Sequence, residues 1–193
     1  MSTESTISID LAAPVLASLQ DRIQALEDRL SRAPSADALN LLVFSGERDR
    51  LLAAMVMATG AAACGQKTSL FFTFWATSAL RKGNTSAAGK TLIERAFGWM
   101  LPSSMKKTRL SQMDFGGLGR AMMTREMKRK NIADLDELFA IAADLGVEIR
   151  VCDMSMRLMG IRREELIDYP GLAMCGVATF AESCSEANTT LFI

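Results

Sequence analysis

Residues 39–74 have the sequence LNLLVFSGERDRLLAAMVMATGAAACGQKTSLFFTF, in which two apolar runs flank a helical pattern. The first run, Leu39 to Phe44, has strand length and is nearly continuously apolar, as expected of a strand buried on both faces of a parallel sheet. A helix is predicted over Glu47 to Ala63, with Gly65 as its stop. The second run, Thr68 to Phe74, is rich in Phe and Thr, which favour strands. This β-α-β opening with short joints predicts an α/β sheet.

The rest of the chain continues the alternation of strands and helices. Apolar runs predict three more strands, at 147–152, 172–175 and 189–193. Helical patterns predict further helices at 75–82, 118–130, 132–145 and 176–187. Residues 83–117 are rich in glycine and show no regular pattern. A structureless segment of that length inside a compact domain is usually a lid or a binding loop, so we expect one here.

The N-terminal part of the chain has its own pattern. Residues 1–9 are polar and are expected to be disordered, and a helix is predicted over 10–32, with Pro14 in its first turn. Its apolar residues follow a 3-4-3-4 spacing, with charged residues on the other faces: Leu16, Leu19, Ile23, Leu26 and Leu30. We expect this amphipathic helix to serve oligomerisation, with folding back onto the domain as the alternative. A linker at 32–35 then leads to a domain over 39–193.

The composition limits the classes of partner. The chain of 193 residues carries 22 basic and 22 acidic residues, so it has no general attraction for nucleic acid or for an anionic membrane. Residues 39–130 nevertheless contain 15 basic and 5 acidic residues. This segment is either a solvated surface or a site that attracts an acidic partner or an anionic ligand. Since the N-terminus does not resemble a signal peptide and the longest apolar stretch, 51–64, is too short to span a bilayer, we expect a cytoplasmic protein.

The absence of histidine is the strongest constraint on chemistry. With no histidine in the chain, Ser-His-Asp and Cys-His catalysis are excluded within one subunit, as is any metal site that needs imidazole. The four cysteines show neither a CxxC motif nor a zinc-like spacing: Cys64, Cys152, Cys175 and Cys184. We therefore predict no metal and no cofactor, and a cysteine is the best candidate for a reactive group.

Cys152 is the leading candidate among the four thiols. It closes the apolar run that begins at Val147, and Asp153 opens the next helical pattern. Ligand crevices in open α/β sheets lie at the carboxyl ends of the strands, and a helix N-terminus favours a thiolate. Cys175 ends the next strand, and neighbouring strands bring Cα atoms within disulfide range, which makes Cys175 a candidate resolving thiol. The alternative is that Cys152 is a buried structural residue.

Several short blocks, in this order, resemble the DsrE/DsrF/DsrH-like sulfur-trafficking proteins, in the branch associated with rhodaneses. The blocks are Val43–Gly46, Leu70–Trp75, Cys152–Met156, Gly176–Phe180 and Asn188–Ile193. The resemblance covers residues 39–193 and implies a three-layer α/β/α domain with a five-stranded, mainly parallel sheet in the order 4-3-2-1-5. It also implies a homo-oligomer and a cysteine, here Cys152, that carries sulfane sulfur as a persulfide.

The resemblance further implies the partners: a rhodanese-type sulfur donor and a small sulfur-carrier protein of the TusA type. In a persulfide carrier, Ser45 and Thr73 at neighbouring strand ends would donate hydrogen bonds to the terminal sulfur. The rival interpretation is a binding or scaffold module without catalysis, in which Ser45, Gly46 and Trp75 line a pocket for a nucleotide-like or CoA-like anion. In that case Cys152 is packed beneath the pocket.

Overall fold

The chain separates into two compact units, residues 1–34 and 35–193, and the computed structural model describes residues 7–31, 35–83 and 89–193. The first unit contains the helix α1, Ile7–Ser31, which begins before the predicted start, so that Pro14 lies inside it and not in its first turn. The five apolar side chains of the predicted stripe are exposed. The expected disorder of residues 1–9 and the predicted linker fall largely outside the described residues.

The second unit is an α/β domain built on five parallel strands. The strands are β1 Ser35–Val43, β2 Lys67–Phe72, β3 Glu148–Cys152, β4 Ala173–Cys175 and β5 Ala187–Phe192. They form one sheet in the order β4-β3-β2-β1-β5, and every neighbouring pair is parallel. The predicted fold class and strand order are confirmed. β1 begins at Ser35, which the sequence had suggested was the end of the linker.

The helices of this unit connect the strands and cover the sheet. They are α2 Arg48–Ala63, α3 Trp75–Ala79, α4 Leu92–Met100, α5 Leu118–Arg129, α6 Leu135–Asp144, α7 Asp153–Met159 and α8 Val177–Glu186. α2 and α6 pack together on one face of the sheet, and α8 packs against β1 and β5 on the other. Among the described residues, no helix has both the length and the apolar character needed to cross a bilayer.

The strand residues alternate between two cores, as the pleat of a sheet requires. The larger core lies under α2 and α6 and receives one face of the three central strands: Leu41, Val43, Leu70, Phe72, Ile149 and Val151. The smaller core contains Leu42, Phe71 and Cys152, with Phe180 of α8 packed against them. Cys152 therefore lies on the face that α8 covers.

The segment 83–117 is not structureless, contrary to the expectation. It contains α4, whose N-terminus is closed by reciprocal hydrogen bonds. The Glu94 amide donates to Thr91 Oγ1 over 3.3 Å, and the Thr91 amide donates to Glu94 Oε2 over 2.7 Å. Thr-x-x-Glu is the signature of a capping box, so the sequence did contain the signal. The glycine-rich composition of residues 83–117 nevertheless favoured the prediction of a loop.

A buried charge cluster joins the end of α3 to residues near 165. The Lys82 amide donates to the Glu165 carbonyl over 2.8 Å, and the Ile167 amide donates to the Leu80 carbonyl over 2.8 Å. The Glu165 carboxylate lies between the ammonium of Lys90 and the guanidinium of Arg81, whose Nε is 3.8 Å away. The side chains of Arg81, Lys90 and Glu165 are only 3%, 6% and 7% exposed, respectively. The carboxylate thus neutralises cations that the fold has removed from water.

Candidate functional site

Cys152 is the last residue of β3 and the residue immediately before α7. Because the strands are parallel, their carboxyl ends lie along one edge of the sheet, where ligand crevices form in this class of fold. The side chain of Cys152 is 0% exposed. The predicted position of the thiol is therefore observed, but in this conformation the thiol is closed off from solvent.

Two hydroxyl groups lie beside this thiol. Thr73 follows β2, the strand next to β3, and its Oγ1 is 3.0 Å from Ser155 Oγ in the first turn of α7. The Phe74 amide donates to Ser155 Oγ over 2.9 Å, which fixes the orientation of that side chain. Both hydroxyl-bearing residues are buried. A small polar cluster, Thr73-Ser155-Cys152, therefore lies at the edge of the sheet.

The polar cluster lowers the pKa of the thiol. Burial alone would raise the pKa of Cys152, but hydrogen bonds from the Ser155 hydroxyl and amide, the Thr73 hydroxyl and the Met154 amide stabilise the thiolate. The net pKa lies below the ordinary value for cysteine. Asp153, whose negative charge adjoins Cys152 in the sequence and would disfavour the thiolate, is paired with Arg157 over 2.7 Å. The thiolate is therefore favoured by neutral donors, without a histidine.

Replacing Ser155 by alanine is expected to raise the pKa of Cys152, because it removes the largest of the favourable contributions. When the alkylation of Cys152 by iodoacetamide is followed as a function of pH, its midpoint should lie at higher pH in this variant than in the wild type. The Phe74 amide also loses its acceptor, which should cost about 1–3 kcal/mol of unfolding free energy. The pKa of Cys152 is lower in the folded protein than in the unfolded chain. The free energy of unfolding that this difference contributes is therefore complete above the pKa of the unfolded chain, and it is lost as the pH falls through the pKa of the folded protein.

The control for this change is Ser185→Ala, which removes an exposed hydroxyl that donates to the Glu182 carbonyl in α8. It should leave the alkylation midpoint where it is. An unchanged midpoint in Ser155→Ala as well would show that the hydroxyl does not act on the thiol.

Cys175 is the direct neighbour of Cys152 across the strands. The two residues are Cα partners in the register of β3 and β4, and Cys175 packs against the small core that contains Cys152. Burial raises the pKa of Cys175, with Arg150 lowering it and Cys152 raising it further. The edge of the sheet thus holds two adjacent thiols of opposite character, one inclined to ionise and one inclined to stay protonated.

Helix α8 forms the cover over this pair. Its Phe180 ring stacks on Phe71 with a centroid distance of 4.8 Å, beside Cys152. None of the ten residues of α8 is itself buried. Elements without fully buried residues open at a lower free-energy cost than elements of the core do.

The turn that links Thr73 to Trp75 is strained. Phe74 has φ 44° and ψ −123°, a region that suits glycine and costs other residues about 1–3 kcal/mol. The Phe74 ring packs against Phe44 at a centroid distance of 5.2 Å, which holds the turn in place. Strain of this kind is commonly kept where it positions a functional group, and Phe74 lies between Thr73 of the polar cluster and Trp75 of the cavity wall.

Ser45, Gly46 and Trp75 lie around a separate cavity. The cavity has a volume of about 640 Å³ and is also lined by the end of α4, including Trp99, by the residues that follow it, and by Lys107 and Arg109. Ser45 Oγ donates to Glu47 Oε2 over 2.8 Å. At Gly46, a Cβ atom would lie 2.7 Å from the Trp75 carbonyl oxygen, so only glycine fits there.

The predicted site residues thus fall into two groups. Thr73 and Cys175 lie with Cys152, whereas Ser45, Gly46 and Trp75 line the cavity. Ser45 was expected beside the sulfur, but β1 is one strand further from β3 than β2 is. Sequence reasoning missed Ser155, although a hydroxyl three residues after Cys152, in the first turn of a helix, was a usable signal. It also missed the contribution of the segment 98–110 to the cavity wall.

The fold and this site define a class: a five-stranded parallel α/β protein with an activated cysteine at the carboxyl edge of its sheet. Comparison with known sequences then identifies the group within that class. Residues 35–192 match the DsrE/DsrF/DrsH-like family, and the chain belongs to this family. The resemblance inferred from the sequence blocks is confirmed.

The match with this chain covers most of the length of two related proteins. The uncharacterized protein YrkE of Bacillus subtilis is 37% identical over 153 residues, which is 79% of this chain and 94% of that protein. The sulfur carrier protein DsrE2 of Allochromatium vinosum is 28% identical over 162 residues, 80% of this chain and 97% of that protein. Among solved structures, the ychN protein from E. coli matches with a TM-score of 0.46 and 13% identity, covering 81% of this chain and 99% of that one.

Proposed function

We propose that this protein is a sulfur carrier or sulfurtransferase that holds sulfane sulfur as a persulfide on Cys152. The observation that carries the proposal is the polar cluster, which lowers the pKa of a cysteine at the carboxyl edge of the sheet. Membership of the DsrE/DsrF/DrsH-like family and the relationship to a sulfur carrier protein support it.

The chemistry needs only a thiolate and hydrogen-bond donors. The Cys152 thiolate attacks the outer sulfur of a donor persulfide, R–S–SH, so that a new S–S bond forms and the donor's S–S bond breaks. The electron pair leaves with the donor as R–S⁻, and Cys152 becomes Cys152–S–SH. The reverse reaction, with an acceptor thiolate as nucleophile, passes the sulfur on. Because no proton has to be removed from carbon or water, the lack of histidine is no obstacle.

The hydroxyls of Thr73 and Ser155 would hold the charge on the terminal sulfur. They already donate toward the thiolate, so the same donors can reach a sulfur one bond further out. The thiol is closed in the described conformation, so loading requires α8 with Phe180 to move aside. Transfer is then limited to times when α8 is open, which protects the persulfide between encounters.

Cys175 would act as the resolving thiol. In its thiolate form it attacks the inner sulfur of the Cys152 persulfide, forms a Cys152–Cys175 disulfide and expels hydrosulfide, HS⁻. The register of β3 and β4 puts the two Cα atoms at the spacing of adjacent strands, about 5 Å, which lies within the range for disulfides. Its raised pKa keeps Cys175 protonated at neutral pH, so resolution is slow and the persulfide lasts.

The wider setting follows from the same proposal. A rhodanese-type donor and a small TusA-type carrier are the expected protein partners, and the cytoplasm, where thiols stay reduced, is the expected compartment. Pairing through the apolar stripe of α1 would make the protein a homo-oligomer.

A second candidate function is favoured by the cavity around Ser45, Gly46 and Trp75. Its volume of about 640 Å³ suits a small-molecule ligand, with an aromatic wall and two cations at Lys107 and Arg109. In this proposal the protein binds a nucleotide-like or CoA-like anion at the strand ends and performs no sulfur chemistry.

Measuring the intact mass of the protein after incubation with sodium polysulfide distinguishes the sulfur carrier from the anion-binding module. We expect a gain of one sulfur atom that dithiothreitol removes, and peptide mapping after alkylation should place it on Cys152, not on the exposed Cys64. No adduct, with Cys152 also inert to alkylation in the folded protein, would contradict the carrier proposal and favour the binding module.

A further inference from the structure

A second basic cavity lies on the face of the sheet opposite Cys152. Its volume is about 570 Å³, and it lies where α2 and α6 begin and α5 passes over them. Five cationic side chains line it: Arg48, Lys106, Arg120, Arg125 and Lys128. They come from three separate parts of the chain, and the fold brings them to one concave surface.

The acidic residues in the cavity wall neutralise only part of this charge. Only two carboxylates line it, Asp134 and Asp136, so cations exceed carboxylates by three. Asp134 Oδ1 accepts the Glu137 amide over 3.1 Å and caps α6. Asp136 Oδ2 is 3.5 Å from Lys106 Nζ. Both carboxylates therefore already have structural roles.

Arg48 is the least accessible of the five cations. The residue is 6% exposed, and its Nη1 donates to the Met105 carbonyl over 3.5 Å. Among the described residues its Nε has no hydrogen-bond partner. Asp134 and Asp136 attract this guanidinium from nearby, and an anion in the cavity would supply the hydrogen-bond acceptor that its Nε lacks.

We propose that this cavity binds an anion built from two or more linked phosphate groups, with diphosphate as its simplest form. Planar guanidinium groups bind phosphate oxygens in pairs, and three arginines line the wall. The volume exceeds what a single tetrahedral ion fills, and every lining residue except Ala121 has a polar or charged side chain. A small, compact polyanion therefore fits the cavity better than a ligand with a large apolar part. The site does not depend on Cys152.

The test is calorimetric titration of the full chain with sodium diphosphate, orthophosphate, sulfate and thiosulfate at constant ionic strength. Diphosphate should bind at least about tenfold more tightly than the single tetrahedral ions, since each charge-assisted hydrogen bond contributes about 1.5–3 kcal/mol. Arg125→Gln should weaken diphosphate binding about tenfold by the same estimate. Arg129→Gln is the matched control, because Arg129 lies on the same helix, is 72% exposed and is paired with Glu126.

Cys152→Ser should bind diphosphate as the wild type does, which separates this site from the sulfur chemistry. Equal affinity for all four anions, unchanged by Arg125→Gln, would overturn the proposal and indicate general attraction to a basic surface. Binding of a poly-glutamate peptide without binding of diphosphate would also overturn it, in favour of an acidic protein segment.

Discussion

Cys152→Ser protein is expected to take up no removable sulfur from polysulfide under conditions in which the wild type is fully loaded. A serine hydroxyl cannot form the S–S bond, so the loss should be complete and not partial. The fold should survive, because the hydroxyls of Thr73 and Ser155 lie next to this position and can form hydrogen bonds with the introduced serine hydroxyl. Intact mass before and after dithiothreitol, with circular dichroism to verify folding, measures both effects.

Two matched variants make this result specific. Cys64→Ser changes an exposed thiol outside the site and should load like the wild type. Cys175→Ser should also load, but the loaded protein should release less sulfide on standing and form no internal disulfide, because the resolving thiol is gone. Loading that persists in Cys152→Ser and disappears in Cys64→Ser would show that the buried cysteine is not the carrier.

The position of Cys152 was predictable because two strong patterns meet there. An apolar run of strand length followed at once by a helical pattern fixes a residue at the carboxyl edge of a parallel sheet. The same reasoning put Cys175 at the next edge position, and the register of β3 and β4 makes the two residues partners. Both inferences depend on local sequence and on the sheet order that the family resemblance implied.

What the sequence did not predict depends on distances across the sheet and on packing. Ser45 follows β1 and Thr73 follows β2. Of these two strands, β2 adjoins β3, whereas β1 lies one strand further away, which adds about 5 Å of separation. Ser45 therefore faces the larger cavity. Phe180 packs against the small core that contains Cys152, and this brings together residues far apart in the sequence. No local pattern reveals such a contact.

Glu165→Gln is expected to destabilise the domain by about 3–5 kcal/mol, the usual cost of leaving buried charges without their partner. The carboxylate lies between Arg81 and Lys90, and an amide of the same shape keeps the packing but removes the negative charge that faces the buried ammonium of Lys90. Asp168→Asn is the matched control: its carboxylate pairs with Lys82 over 2.9 Å, but its side chain is 94% exposed. Urea unfolding should therefore show less than about 1 kcal/mol for the control.

The comparison of these two carboxylates separates burial from pairing. They lie three residues apart and each pairs with a cation, so a difference in unfolding free energy reports the removal of water from the Glu165 cluster. Equal, small effects would mean that water reaches Glu165 and that the segment after α3 is held by backbone hydrogen bonds alone. The larger effect is expected because a loss of this size is a considerable part of the 5–15 kcal/mol that usually stabilises a domain. The cluster would then be what holds residues 80–82, which follow α3, against residues 165–167.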